Sequence, residues 1–250
     1  MRRIFLVLIL LIPLLACGHK ETASEELQKP KAEQQNKEPN PQPMGNKKTA
    51  QSKEKISLNV PLIKQNPELK YGCEVTSLAM MLQYAGVKTN KMELYKNVSK
   101  DPDQLVKNRN NITHWGDPGK GFVGDMTGRT AGYAVFDGPI ENLVNQYMPG
   151  HAVNLTKQPF QKVLDHVGKG YPAVVWTTGD YKLPDRWESW KHHKQTIKTP
   201  LDLHAVVLTG FDQQHVYLND PLSGKKGVKV NKKQFEASWK ALQSRAISYW

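Results

Sequence analysis

The sequence changes character at about residue 55, and that break decides how much of the chain can fold. Behind Arg2 and Arg3, residues 4–16 are almost wholly apolar, whereas residues 18–55 are rich in Lys, Glu, Gln, Pro and Asn and carry almost no large apolar side chain. Such a segment cannot bury enough surface to offset the entropy of ordering it, so it reads as a tether. The folding unit is then Ile56 to Trp250, long enough for one domain with a sizeable core. The same partition accounts for a hydrophobic content of 38%, thin for 250 residues packed throughout.

The first segment has the layout of an export signal, with a basic start and an apolar stretch too short to demand a spanning helix. Its end, Leu14-Leu15-Ala16-Cys17, resembles the lipobox of bacterial lipoprotein precursors, whose cysteine is diacylated and becomes the mature N-terminus. An ordinary cleaved signal also ends on a small residue such as Ala16, but it needs no cysteine at the next position. The expected organisation is a lipoprotein signal peptide over 1–16, the lipidated Cys17 with a disordered tether over 17–55, and one domain over 56–250. That puts the domain on the extracellular face of the bacterial plasma membrane, held by its lipid anchor and free to reach roughly 34 Å from the headgroups. With Cys17 consumed by lipid, Cys73 has no partner in the chain. Unpaired thiols outside the membrane are oxidised, so one that persists points to a use.

The formal net charge is +12, and the tether, with eight Lys against six Glu, holds little of it. A basic domain at a cell surface is drawn to anionic lipid headgroups or an anionic cell-wall polymer by a screened attraction, although a merely solvated basic surface accounts for the charge more simply than either. No Arg/Lys-aromatic platform or nucleic-acid-binding module accompanies it, so nucleic acid is not an expected partner.

From Ile56 the hydrophobic pattern becomes globular. Residues 57–60 alternate like a strand, and Val75, Leu78, Ala79, Leu82 and Ala85 recur at helical spacing until Gly86. Asn90 with Glu93 reads as a capping box for a second helix to about Val98. Residues 99–138, rich in Gly, Asn, Asp and Pro, read as exposed loops. Shorter helices are expected over 139–147 and 160–169. After Gly170 the signal turns to strands at 171–177, 203–209, 216–219 and 227–230, followed by a helix capped by Asn231 and an edge strand over 246–250. Helices first and an antiparallel sheet afterwards define an α+β domain.

Cys73 falls in the first turn of the first long helix, where exposed amides stabilise a thiolate and the expected thiol pKa is lowered. Its backbone N–H is a candidate oxyanion donor, and Gln65 on the approach segment can supply a second. Taken alone, Cys73 is equally well a small buried apolar residue. The strand region weighs against that. Leu203-His204-Ala205-Val206-Val207-Leu208 sets one imidazole at the head of an apolar strand, and Val216-Tyr217-Leu218-Asn219-Asp220-Pro221 ends the next strand on a carboxylate. Head and end of antiparallel neighbours can be hydrogen-bonded, as a Cys-His-acid triad requires. Asp202, two residues before His204, is a rival orienter.

The segments Val60-Pro61-Leu62-Ile63-Lys64-Gln65, Tyr71-Gly72-Cys73-Glu74-Val75-Thr76-Ser77-Leu78-Ala79-Met80, His204-Ala205-Val206-Val207-Leu208-Thr209-Gly210-Phe211-Asp212 and Asn219-Asp220-Pro221 together resemble the bacteriocin-processing, double-glycine leader peptidase family, in its stand-alone C39-like branch. The resemblance covers essentially Ile56 to Trp250. It implies a papain-like cysteine peptidase fold, N-terminal helices packed on an antiparallel sheet, a peptide or protein substrate, and no cofactor. It also implies Cys73 as nucleophile, His204 as base, Asp220 as orienter and Gln65 as oxyanion donor. Glu74 stands where transporter-fused members carry Gly, and no ATPase motif accompanies the domain. A pseudoenzyme that binds peptide or wall polymer, or a peptidoglycan peptide hydrolase of the NlpC type, are the alternatives. Gly119-Lys120-Gly121-Phe122-Val123-Gly124 fits a dinucleotide fingerprint in letters but lacks the strand before and helix after it. His192 and His193 lack zinc spacing with His204 and read as a solvated loop, so no metal is expected. Trp187 and Trp190 read as loop aromatics able to line a cleft.

Overall fold

The computed structural model describes residues 55–250; the signal peptide, Cys17 and the tether up to residue 54 lie outside the described residues. The domain begins with β1 (Ile56–Ser57), α1 (Cys73–Tyr84) and α2 (Lys91–Asn97). Four short strands follow, β2 (Lys100–Asp101), β3 (Val106–Asn108), β4 (Asn111–His114) and β5 (Phe122–Val123). Then come α3 (Asp137–Tyr147), β6 (Ala152–Asn154), α4 (Phe160–Gly168), β7 (Ala173–Thr178), β8 (Trp187–His192) and β9 (Gln195–Pro200). The chain closes with β10 (Leu203–Phe211), β11 (His215–Asp220), β12 (Lys225–Asn231), α5 (Lys232–Ala241) and β13 (Ala246–Tyr249).

The main sheet is antiparallel, in the order β12-β11-β10-β7-β13-β6, with β1 paired to the far end of β10. Its central strands are apolar without alternation because both faces are covered. On β7, Val174 and Trp176 pack among side chains of α1, α2 and α3, while Ala173 and Val175 pack among those of α4 and α5. The fold is thus α+β as expected, with helices on both faces of the sheet. The α1 helix runs to Tyr84, and Gly86 at φ +86° ends it, a conformation that suits glycine. Asn90 caps α2 by accepting from the Met92 and Glu93 amides, but the Glu93 carboxylate takes the hydroxyls of Thr89 and Tyr147 instead of closing a capping box.

Several expectations are corrected. The first strand ends at Ser57; one further backbone bond, from the Leu58 amide to the Thr209 carbonyl at 2.8 Å, follows, and then Asn219 Nδ2 holds the Val60 and Pro61 carbonyls at 3.0 and 3.2 Å, so a side chain takes over from the ladder. The last strand is not an edge, because β6, unread in the sequence, pairs outside it. Residues 99–138 and 180–200 are not plain loops: β3, β4, β8 and β9 form a four-stranded sheet and β2 pairs with β5. Trp190 is buried there against Trp115 and Tyr133 and donates to the Gly116 carbonyl, so it lines no cleft, and Trp187 is exposed. His192 is likewise buried, not on a solvated loop, whereas His193 is exposed.

The α1 helix is fixed to the sheet by Ser77, whose fully buried hydroxyl donates to the Ala205 carbonyl of β10 at 3.1 Å. Cys73 lies one turn earlier on the same helix face. Replacing Ser77 with Ala should lower stability by about 1 kcal/mol. The check is urea unfolding, with a lower midpoint at unchanged slope.

Candidate active site

The N-cap of α1 is Gly72, which has no side chain to satisfy the first amides, and Cys73 is the first helical residue. A methyl at Gly72 would collide with Leu69, so the close turn before the helix needs glycine. The Cys73 sulfur is buried and lies 3.4 Å from Glu74 Oε2, placed to donate its proton to that carboxylate. Glu74 is fully buried, and its Oε1 accepts the Val135 amide at 3.0 Å. The Val135 carbonyl accepts the Trp176 indole at 3.0 Å, so the backbone of this one residue joins α1 to β7.

Burial first, and the Glu74 charge second, hold the Cys73 thiol well above its ordinary value; backbone hydrogen bonds from Ala205 and from Cys73 itself oppose them without prevailing. The lowered thiol pKa expected from the helix terminus is therefore not found in this state, because desolvation and an adjacent carboxylate outweigh the partial charge of the amides. Burial also raises Glu74, to about 7, against the Val135 hydrogen bond that favours its charged form.

His204 and Asp220 meet across the strand ends. His204 Nε2 is 2.8 Å from Asp220 Oδ1, and both residues are buried. Asp220 Oδ1 also accepts the Leu222 amide at 2.9 Å, and Oδ2 accepts the hydroxyls of Tyr181 at 2.9 Å and Ser223 at 2.6 Å. Burial works against ionising Asp220, but the bonds from His204, Ser223 and Leu222 outweigh it and hold the carboxyl well below the usual range. An ionised carboxylate only accepts, so Nε2 carries the ring proton and Nδ1 is the basic nitrogen of neutral His204. Asp220, not Asp202, is thus the carboxylate on the imidazole. Among the described residues no hydrogen bond joins Cys73 to His204; the thiol keeps its proton and donates it in a hydrogen bond to Glu74.

Gln65 is placed by two strand-end contacts. Its amide donates to the Pro221 carbonyl at 3.0 Å, just beyond Asp220, and its Nε2 donates to Lys70 O at 2.8 Å on the approach to α1. Its Oε1 is buried without a hydrogen-bond partner. A carboxamide nitrogen has two N–H groups, so one remains to be offered. The structure therefore gathers Gln65, Cys73, His204 and Asp220 at one end of the sheet, around α1, β10 and β11. The sequence reading passed over Tyr181 and Ser223 as supports of Asp220, though a serine three residues after an aspartate in a turn is a recognisable signal. It noted Glu74 only as a departure, and its partner Val135 lies too far along the chain to be read. A cavity of about 820 Å³ beside α4 includes none of these residues.

A helix-borne thiol and a strand-borne imidazole on this two-faced sheet define a papain-like α+β protein. The Peptidase_C39 like family matches residues 57–247, and the chain belongs to that family. The uncharacterized protein YvpB of Bacillus subtilis is 38% identical over 181 residues, which cover 72% of this chain and 70% of YvpB. A crystal structure of a candidate C39-like peptidase from Bacillus anthracis superposes with a TM-score of 0.72 at 40% identity, covering 79% of this chain and 98% of that one.

Because folding raises Glu74 above its ordinary value, its contribution to stability is fully present at low pH and is lost as pH rises through about 7. Glu74→Gln keeps the acceptor for Val135 without the charge. Its melting temperature should match that of the wild type near about pH 4 and exceed it near about pH 8. Iodoacetamide should also alkylate Cys73 faster in this variant near neutral pH, since the charge that holds the thiol proton is gone.

Proposed function

We propose that the protein is a lipid-anchored cysteine peptidase that cleaves an amide bond in a peptide or protein through an acyl-enzyme. The reading rests chiefly on the buried His204–Asp220 pair at 2.8 Å, set beside the helix that begins with Cys73. Family membership supports a peptidase, and the lipobox-like run ending at Cys17 supports an anchor on the outer face of the plasma membrane. Among the described residues no helix is long and apolar enough to cross a membrane. The basic charge suits contact with an anionic wall polymer.

In the proposed reaction, His204 Nδ1 takes the Cys73 proton as the sulfur attacks the substrate carbonyl, and then gives it to the leaving amine. Asp220 fixes the ring and stabilises the imidazolium without exchanging a proton. The Cys73 amide and the second N–H of Gln65 Nε2 stabilise the oxyanion. Water, activated by the same imidazole, then releases the acyl group and restores the thiol. The thiol as found is a resting form, protonated and hydrogen-bonded to Glu74. Transfer of the proton to His204 requires the thiol to leave its hydrogen bond to Glu74, and a neutral Glu74 lowers that cost.

Cys73→Ala should abolish hydrolysis of a peptide library, and His204→Ala should nearly do so, both with intact circular dichroism. Asp220→Ala should cost less, and Gln65→Ala about two to three powers of ten in turnover with alkylation of Cys73 retained. Unchanged alkylation from about pH 5 to 9 in His204→Ala, together with no hydrolysis by the wild type, would make the domain a binder of peptides instead. Cys17→Ala should release the protein to the medium or leave an unprocessed precursor. Normal processing and continued detergent partitioning of that variant would remove the anchor from the account.

A further inference from the structure

A second cluster of chemistry-bearing side chains lies where β2, β4 and β8 meet. The β8 strand ends on His192, and His193 opens the turn to β9 at φ +50°. Successive residues of a regular strand point to opposite faces. The left-handed turn at His193 instead brings both rings together, with centroids 4.3 Å apart. Their Nε2 atoms lie 3.4 and 3.7 Å from Asp103 Oδ2. His114 Nε2, at the end of β4, lies 3.0 Å from the same oxygen.

Three imidazole nitrogens thus surround one carboxylate oxygen, yet that oxygen is buried and has no hydrogen-bond partner. The ring N–H directions miss it. The ligand atoms of Asp103, His192 and His193 all lie within 4.8 Å of one another. Two atoms each about 2.0–2.1 Å from a tetrahedral ion stand about 3.4 Å apart. The observed separations of 3.0, 3.4 and 3.7 Å from Oδ2 bracket that spacing.

We propose that Asp103, His192 and His193, with His114 packed beside Asp103, bind a divalent transition metal of the zinc class. Imidazole nitrogens with one carboxylate select such an ion over calcium or magnesium, which require mostly oxygen. Asp101 supports the set: its Oδ1 accepts the Asp103 amide at 3.0 Å, and its Oδ2 lies 3.4 Å from His192 Nε2. Asp101 and Asp103 also line a cavity of about 460 Å³, which gives an ion a way in. The ion would join the β2–β5 pair to the β3-β4-β8-β9 sheet, so its role is structural. Within that region β9, the strand leading to His204, is held by Tyr133, whose hydroxyl lies 2.6 Å from Thr199 Oγ1 and donates to the Pro200 carbonyl at 2.6 Å.

The test uses the full chain carrying Cys73→Ala, which removes the thiol as a competing ligand. After chelator treatment and gel filtration, added zinc should be retained at one equivalent per chain by elemental analysis, and cobalt should give the intense visible bands of a tetrahedral site. Zinc should raise the melting temperature. His193→Ala changes an exposed residue, leaves the core intact, and should weaken binding at least about tenfold. Asp103→Asn should weaken it further and abolish the zinc-dependent rise. Retention below about a tenth of an equivalent at micromolar free zinc would overturn the proposal. So would one equivalent held with unchanged affinity in both variants.

Discussion

The hydrogen bond between His204 and Asp220 is the contact around which the domain is arranged, because neither side chain tolerates burial without the other. Holding it requires the head of β10 beside the end of β11, and the approach segment closes over that junction. Asn219 ties down the Val60 and Pro61 carbonyls, Asp220 holds the imidazole, and the Pro221 carbonyl takes the Gln65 amide. Three consecutive residues therefore fix His204, Asp220 itself and the neighbouring Gln65 carboxamide. Ser223 and Tyr181 complete the shell on the remaining carboxylate oxygen, and the bond to His204 first, with those from Ser223 and Leu222, keeps Asp220 ionised despite its burial.

Against this satisfied pair stands a second, costlier one. Cys73 and Glu74 are adjacent and buried, and burial favours the neutral form of each. The helix terminus alone does not overcome that desolvation. In the proposed mechanism, thiol activation is therefore coupled to the protonation of Glu74, which Val135 ties to Trp176 of β7. A charge at that position makes the reactivity of Cys73 conditional, where glycine would leave the thiol to the helix and the imidazole alone.

How much of this was legible follows from which contacts are local. The helical period after Cys73, the apolar run after His204 and the Asn219-Asp220-Pro221 strand end are short-range patterns, and the structure places all three where their spacing suggests. The α+β class followed from the same signals. The β8–β9 hairpin was missed because its residues are mostly charged or polar and its faces only partly buried, leaving little hydrophobic period to read. The burial of His192 depends on Asp101 and Asp103, far away in sequence, and β13 becomes an inner strand only through pairing with a three-residue β6. The raised thiol pKa was illegible for a similar reason. It depends on how deeply the sheet and helices enclose Cys73, which no local pattern records.

The central claim, that His204 held by Asp220 turns Cys73 into an acyl-accepting nucleophile, is tested most directly by intact-protein mass spectrometry during turnover of p-nitrophenyl acetate. The account predicts a transient acetyl adduct mapped to Cys73 in the wild type, formed far more slowly in His204→Ala. Hydrolysis without an adduct, an adduct on another residue, or equal acylation rates in the two proteins would contradict it.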